Sequence, residues 1–373
     1  MMQPNARLTR HLYDRSTRQL VPLSGTFELS PVCNFACKIC YVRKTRKQVA
    51  ENDRGLFTLE QWLRIAEDAR KKGTLFLLLT GGEPFLWPDF WELYERLIQM
   101  GFLISINTNG SLIDEAAVEK LRRLPPWRIN LTLYGACDET YEALCGVKGV
   151  FSRVDRAIMM LRDAGVPVKL NCSLTPSNVQ DLEKMIRYAQ ERELVIDTAT
   201  YMFPPVRRAP DRIGRNHRFT PEEAAAHRIR VMQLLNSPQR YRAYLERLSQ
   251  GYVDPPGLDE HCVDPTDGKI RCRAGNASYW ITWDGYLTPC GMMTAPKIDL
   301  RTLGFSESWQ RLTEECTHIR LSGACDKCAN RSICHPCAAM AQAETGSAAE
   351  IPKYLCETAQ AMKHIADRQL QDK

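Results

Sequence analysis

Between residues 27 and 200 the chain sets a short apolar run against an amphipathic stretch about six times over, and this repeat limits the fold more than any other feature. Phe27 to Ser30 is the first apolar run. Thr58 then opens a helix, with Gln61 three residues on as its capping-box partner and Gly73 just past its end. Leu75 to Thr80 is apolar without a break, the pattern of a strand covered on both faces. Helix 88–100, strand 102–108, helix 113–123, strand 128–134, helix 151–164, strand 166–174, helix 179–192 and strand 194–200 follow. Parallel strands need crossover helices, so this order predicts an α/β fold. Six units are too few for a closed eight-stranded barrel. The expectation is a partial (β/α)6 barrel with its functional loops at the C-terminal strand ends.

Around that core the chain divides into an N-terminal extension (1–26), the core (27–200), a linker and helical segment (201–257) and a C-terminal part (258–373). Pro204, Pro205 and Pro210 break the repeat, and Thr220-Pro221-Glu222-Glu223 starts a new helix with cap, N1 proline and N3 glutamate in sequence. The net charge of +6 is a mild excess for 373 residues. Its densest basic run, Arg207, Arg208, Arg212, Arg215, His217 and Arg218, reads as a solvated loop, with contact to an acidic substrate as the alternative. A nucleic-acid partner is not expected. No apolar run nears the roughly 20 residues that cross a bilayer, and the N-terminus lacks an apolar signal core, so the expected setting is cytoplasmic, away from membranes.

Fifteen cysteines without a secretion signal argue against a disulfide framework and for metal or iron–sulfur ligation. Cys33, Cys37 and Cys40 follow the first strand at spacing C-x3-C-x2-C. Three thiolates on one loop can converge on a cubane [4Fe–4S] cluster and leave one iron without a cysteine. An open position is where a substrate or cofactor binds, as at catalytic zinc. The alternative is a structural zinc site, which asks for four ligands.

This loop, with Tyr41 after the third cysteine and a βα repeat behind it, resembles that of the radical S-adenosylmethionine (radical SAM) superfamily. The resemblance implies that SAM chelates the open iron and that one electron from the cluster cleaves it to a 5′-deoxyadenosyl radical, which abstracts a substrate hydrogen. Gly81-Gly82-Glu83-Pro84, at the end of the second strand, is similar to the family segment that meets the methionyl amine. Asn107-Thr108-Asn109-Gly110 ends the third strand, and Thr132 lies in the segment ending the fourth. Asn171 and Ser173 face one way on the fifth. By resemblance Asn109, Thr132 and Ser173 are further SAM contacts.

Cys272, Gly285, Cys290, Cys325, Cys328, Cys334, Cys337 and Cys356 resemble the SPASM extension of radical SAM enzymes, except that two residues separate Cys334 from Cys337 where the family has three. The resemblance implies two auxiliary [4Fe–4S] clusters, three clusters in all. Cys272, Cys290 and Cys337 would bind the first, with Cys262 as fourth ligand. Cys325, Cys328, Cys334 and Cys356 would bind the second. Read without the core, the same spacings suit a pair of zinc sites. Of the four cysteines left, Cys145 and Cys172 sit in apolar patterns, Cys137 stands apart, and Cys316 is close enough to the array to act as a substitute ligand.

A radical core with an electron relay implies a two-electron oxidation or cross-link, most often of a peptide or protein side chain, with a flavodoxin- or ferredoxin-type reductant. The 32 residues before Cys33 are too few for a leader-binding module, a layout similar to anaerobic sulfatase-maturing enzymes. Those carry an acidic residue after the G-x4-C cysteine; here Gly291, Met292 and Met293 follow Cys290. Asp284, Asp264 and Tyr286 are candidate replacements for the base. The alternatives are a radical dehydrogenase or isomerase of a small molecule, and a non-catalytic iron–sulfur or zinc scaffold.

Overall fold

The computed structural model describes residues 4–252 and 272–371. Six strands form the expected parallel sheet: β1 (Ser24–Glu28), β2 (Phe76–Thr80), β3 (Leu103–Thr108), β4 (Arg128–Thr132), β5 (Val168–Ser173) and β6 (Val195–Ala199), each hydrogen-bonded to the next. The crossover helices start where the sequence places their caps. Thr58 accepts from Gln61 N, the Gln61 side chain returns to Thr58, and helix Leu59–Lys71 follows. Asp114 caps helix Glu115–Arg123, and Thr220 with Glu223 makes the capping box of helix Pro221–Leu235. These satisfy orphan N–H groups that a helix start otherwise leaves open. This is the partial α/β barrel expected.

The sheet does not stop at β1. Strand β7 (Ser278–Ile281) lies parallel to β1 on its outer edge, Ser24 beside Ser278, and β8 (Tyr286–Thr288) and β9 (Ile298–Asp299) extend it antiparallel. One apolar core accordingly runs from Phe27 and Leu79 through Tyr279 and Leu287 to Phe305 and Leu312. The hairpin carrying Cys290 is thus built onto the strand that leads into the Cys33 loop.

Helices Pro221–Leu235 and Pro238–Ser249 pack with helix Lys353–Gln371 over a second core of Ile229, Tyr244, Leu248 and Met362. The basic stretch departs from the solvated-loop reading. Arg207 is paired with the buried Glu28, and Arg218 with the half-buried Glu344, because a bidentate carboxylate partner compensates each guanidinium for lost water. Arg208, Arg212 and Arg215 stay exposed. Among the described residues no helix is long and apolar enough to cross a membrane.

Candidate functional site

The Cys33–Tyr41 loop leaves the end of β1 and is pinned from two sides. Ala36 N and Lys38 N donate to the carbonyls of Cys145 and Leu144 at 2.8 and 3.0 Å, at the end of helix Asp138–Cys145. Gly82 N and Glu83 N donate to Ser30 O (2.7 Å) and Val32 O (2.9 Å). The two glycines are required by that crossing. A Cβ at Gly81 would lie 2.3 Å from Ser30 O, and one at Gly82 would lie 2.3 Å from Val32 O.

Asn109 ties the loop to the end of β3. Its Nδ2 donates to Asn34 Oδ1 at 2.9 Å and approaches Cys33 Sγ at 3.8 Å, while its Oδ1 accepts from Ser111. Backbone N–H groups also point at sulfur: Phe35 N at Cys33 and Arg43 N at Cys40, both 3.3 Å. Burial pushes the Cys33 thiol up to about 12 and the Cys40 thiol upward as well. Cys37 is raised too, chiefly by a hydrogen bond shared with the buried Cys145 and then by burial.

Cys33, Cys37, Cys40, Tyr41, Gly81, Gly82, Asn109, Thr132 and Ser173 all line one cavity of about 400 Å³ across the C-terminal strand ends. Glu83 and Pro84 stand behind its wall. Glu83 is fully buried and accepts from Thr108 Oγ1 (2.8 Å), Asn109 N (2.9 Å) and Phe85 N (3.3 Å), joining the ends of β2 and β3. Burial raises its pKa to about 7, against the pull of these three donors. The donor set fits a cubane cluster. Three thiols share one cavity, two of them receive N–H groups, and the burial that disfavours a bare thiolate favours one that holds a cationic cluster.

The C-terminal cysteines gather as two groups. Cys325, Cys328, Cys334 and Cys356 line one small pocket, and each of the other three thiols acts electrostatically on that of Cys334. Cys290 and Cys337 share an apolar patch with Phe203 and Met292, and those two side chains also line the Cys33 cavity. Cys272 begins the turn into β7, its carbonyl accepting from Asn276 Nδ2 at 3.0 Å. Cys262 and Asp264 lie outside the described residues. Among the described residues no three Cys, His, Asp or Glu side chains close on one point as ligands of a single metal ion do; a cluster spreads its thiolates over several irons.

Gly291 has a steric cause. A Cβ there would come within 2.8 Å of the Trp280 indole, which lies over it and donates from Nε1 to Glu28 at 2.9 Å. An acidic side chain at 291 has no room. Asp284 and Tyr286 line a neighbouring cavity and not that of Cys33. Sequence reasoning missed Tyr201, Met202 and Phe203 as cavity lining, because no motif marks them and their placement needs the 201–219 segment folded across the strand ends; Tyr134, two residues past Thr132, and Met292, two past Cys290, line it as well.

A parallel partial barrel with three cysteines and a glycine pair at its strand ends defines the class: the chain belongs to the radical SAM superfamily. The profile of that superfamily matches residues 27–189. A "Probable GTP 3',8-cyclase" of Saccharolobus islandicus is 35% identical over 306 residues, 82% of this chain and 93% of the relative. An "AdoMet-dependent heme synthase" of Methanosarcina barkeri is 25% identical over 338 residues, 88% and 94% of the two chains. The solved structure of native anSMEcpe with bound AdoMet and Cp18Cys peptide shares the fold, with a TM-score of 0.68 at 17% identity, covering 94% of this chain and 98% of that one.

Proposed function

We propose that the chain is a radical SAM oxidoreductase that removes a hydrogen atom and then an electron from a peptide or protein side chain. When bound, SAM and the cluster at Cys33, Cys37 and Cys40 supply a 5′-deoxyadenosyl radical, and two auxiliary clusters supply an exit for the electron. The chain's own residues do the rest. Gly81, Gly82, Asn109, Thr132 and Ser173 offer backbone and polar groups to SAM, with Tyr41 beside the cluster loop, while Glu83 and Pro84 hold the wall behind them. Tyr134, Tyr201, Met202 and Phe203 narrow the cavity and exclude water from a reactive radical. A flavodoxin- or ferredoxin-type protein is the reductant, and the setting is the cytoplasm.

The observation that carries this reading is the shared wall. Phe203 and Met292 line the Cys33 cavity on one face and pack with Cys290 and Cys337 on the other, so a substrate radical would form beside an electron acceptor. The peptide substrate draws support from the fold shared with anSMEcpe, whose solved structure holds a peptide. A small-molecule substrate is the second reading, favoured by relatives named for heme and GTP chemistry that align over most of their length.

The test uses the full chain, reconstituted anaerobically, with dithionite and SAM. Peptide substrates are followed by loss of two hydrogens in mass, small molecules by stimulated 5′-deoxyadenosine release. Cys328→Ala is expected to keep SAM cleavage and lose net oxidation. A variant that still completed the oxidation would remove the electron exit from the account.

A further inference from the structure

We infer that Cys316 is the fourth ligand of the first auxiliary cluster, completing a set with Cys272, Cys290 and Cys337. This rests on the iron–sulfur reading of the C-terminal array. Cys316 ends helix Phe305–Cys316 and is only 6% exposed, yet its sulfur has no hydrogen-bond partner among the described residues. That sulfur is pressed against the turn that follows Cys272. A Cβ built on Gly275 would lie 2.3 Å from Cys316 Sγ and 3.8 Å from Pro289 Cβ, and Gly275 has φ +71°. A left-handed glycine is what lets the thiol sit between the 272–276 turn and the Pro289–Cys290 segment.

Cys290 and Cys337 link to Cys316 in turn. Cys290 is near enough to act electrostatically on Cys316, and Cys337 on Cys290. Cys290 and Cys337 share an apolar patch with Ile319, three residues past Cys316, and the helix end is closed by Ile319 N donating to Cys316 O at 3.2 Å. Four thiols therefore come from four separate segments: the turn before β7, the loop after β8, the end of a helix, and the start of helix Ala338–Thr345. A cubane cluster with every iron held by cysteine takes four thiolates, and this group supplies them without Cys262. The family resemblance implies a ligand upstream of Cys272; the packing points to Cys316.

The experiment measures iron, sulfide and zinc per chain, with electron paramagnetic resonance (EPR) spectra of the reduced clusters. It uses wild type, Cys316→Ala and Cys262→Ala, each in the full chain after anaerobic reconstitution. The expected result is about twelve iron in wild type and Cys262→Ala, and about four fewer in Cys316→Ala. Cys316→Ser covers a folding failure of the alanine variant, since a hydroxyl of similar size either loses the cluster or shifts its spectrum. Gly275→Ala keeps every cysteine but drives a methyl into the Cys316 sulfur, and is expected to lower the same four iron. Wild-type iron and an unchanged spectrum in Cys316→Ser, with loss in Cys262→Ala, would overturn the assignment. Zinc in wild type would instead contradict the electron exit, and the ligand set would then be read from zinc lost in the same variants.

Discussion

Arg207 holds Glu28 through two hydrogen bonds, 2.8 Å to one carboxylate oxygen and 3.0 Å to the other, with Glu28 sealed from solvent. The same guanidinium donates to Gly291 O at 2.8 Å and lies 5.6 Å from the Tyr41 ring centroid. One ion pair thus joins β1, the cluster loop, the 201–219 segment and the loop after Cys290. These are the parts that place the Cys33 cavity beside Cys290 and Cys337.

Arg207→Ala leaves a carboxylate buried without its counter-ion. Breaking such a pair costs about 3–5 kcal/mol. Urea denaturation of the apo chain under anaerobic conditions is expected to show a loss of that size. The paired change Glu28→Gln with Arg207→Met should lose clearly less, because no uncompensated charge remains. Equal losses in both would mean that the pair acts only as packing.

Gly291→Asp introduces an acidic residue directly after Cys290, where the Trp280 ring already fills the space. Overpacking a tight site costs about 1–3 kcal/mol. Gly291→Ala and Gly291→Asp should both lower the melting temperature, the first by sterics alone. An unchanged melting temperature in Gly291→Ala would mean that the indole moves aside freely.

Glu83 carries a raised pKa, about 7 in the folded chain against 4.5 when unfolded. Between those values the folded chain keeps a proton that the unfolded chain has released. Its contribution is therefore fully present below pH 4.5 and declines as pH rises to about 7, by on the order of 3 kcal/mol. Unfolding free energies of the apo chain across that window should fall for wild type relative to Glu83→Gln. Parallel curves would show that the carboxylate is not held protonated.

Asn109→Ala removes the amide that bridges Asn34, Ser111 and the Cys33 sulfur. With its loop less fixed, the variant should lose iron to a chelator faster than wild type, while the auxiliary iron is retained. Identical chelation kinetics would assign the loop's rigidity to the Cys145 and Leu144 carbonyls instead.

The barrel was legible because its signals are local. Thr58 with Gln61, the unbroken Leu75–Thr80 run and Thr220 with Glu223 announce themselves within a few residues. The cluster loop and the glycine pair were legible for the same reason, although the glycines turn out to admit the backbone of Ser30 and Val32. What stayed hidden depends on contacts far apart in the chain. Nothing near Ser278 says that it lies beside Ser24, so the shared sheet was unreadable. Arg207 looks like one more cation in a basic loop until Glu28, 179 positions away, is placed beneath it. Cys316 gains meaning only from the glycine turn packed on its sulfur. Helix Lys353–Gln371 went unread because the cysteine spacings, and not apolar period, dominate that stretch.

The central claim is that Cys33, Cys37 and Cys40 hold the cluster that cleaves SAM, apart from the auxiliary sites. The direct measurement is 5′-deoxyadenosine formed from SAM and dithionite by the reconstituted wild type and by its Cys33→Ala, Cys37→Ala, Cys40→Ala triple variant. The account predicts product from wild type, and none from a triple variant that still holds about eight iron. Product from the triple variant would contradict it.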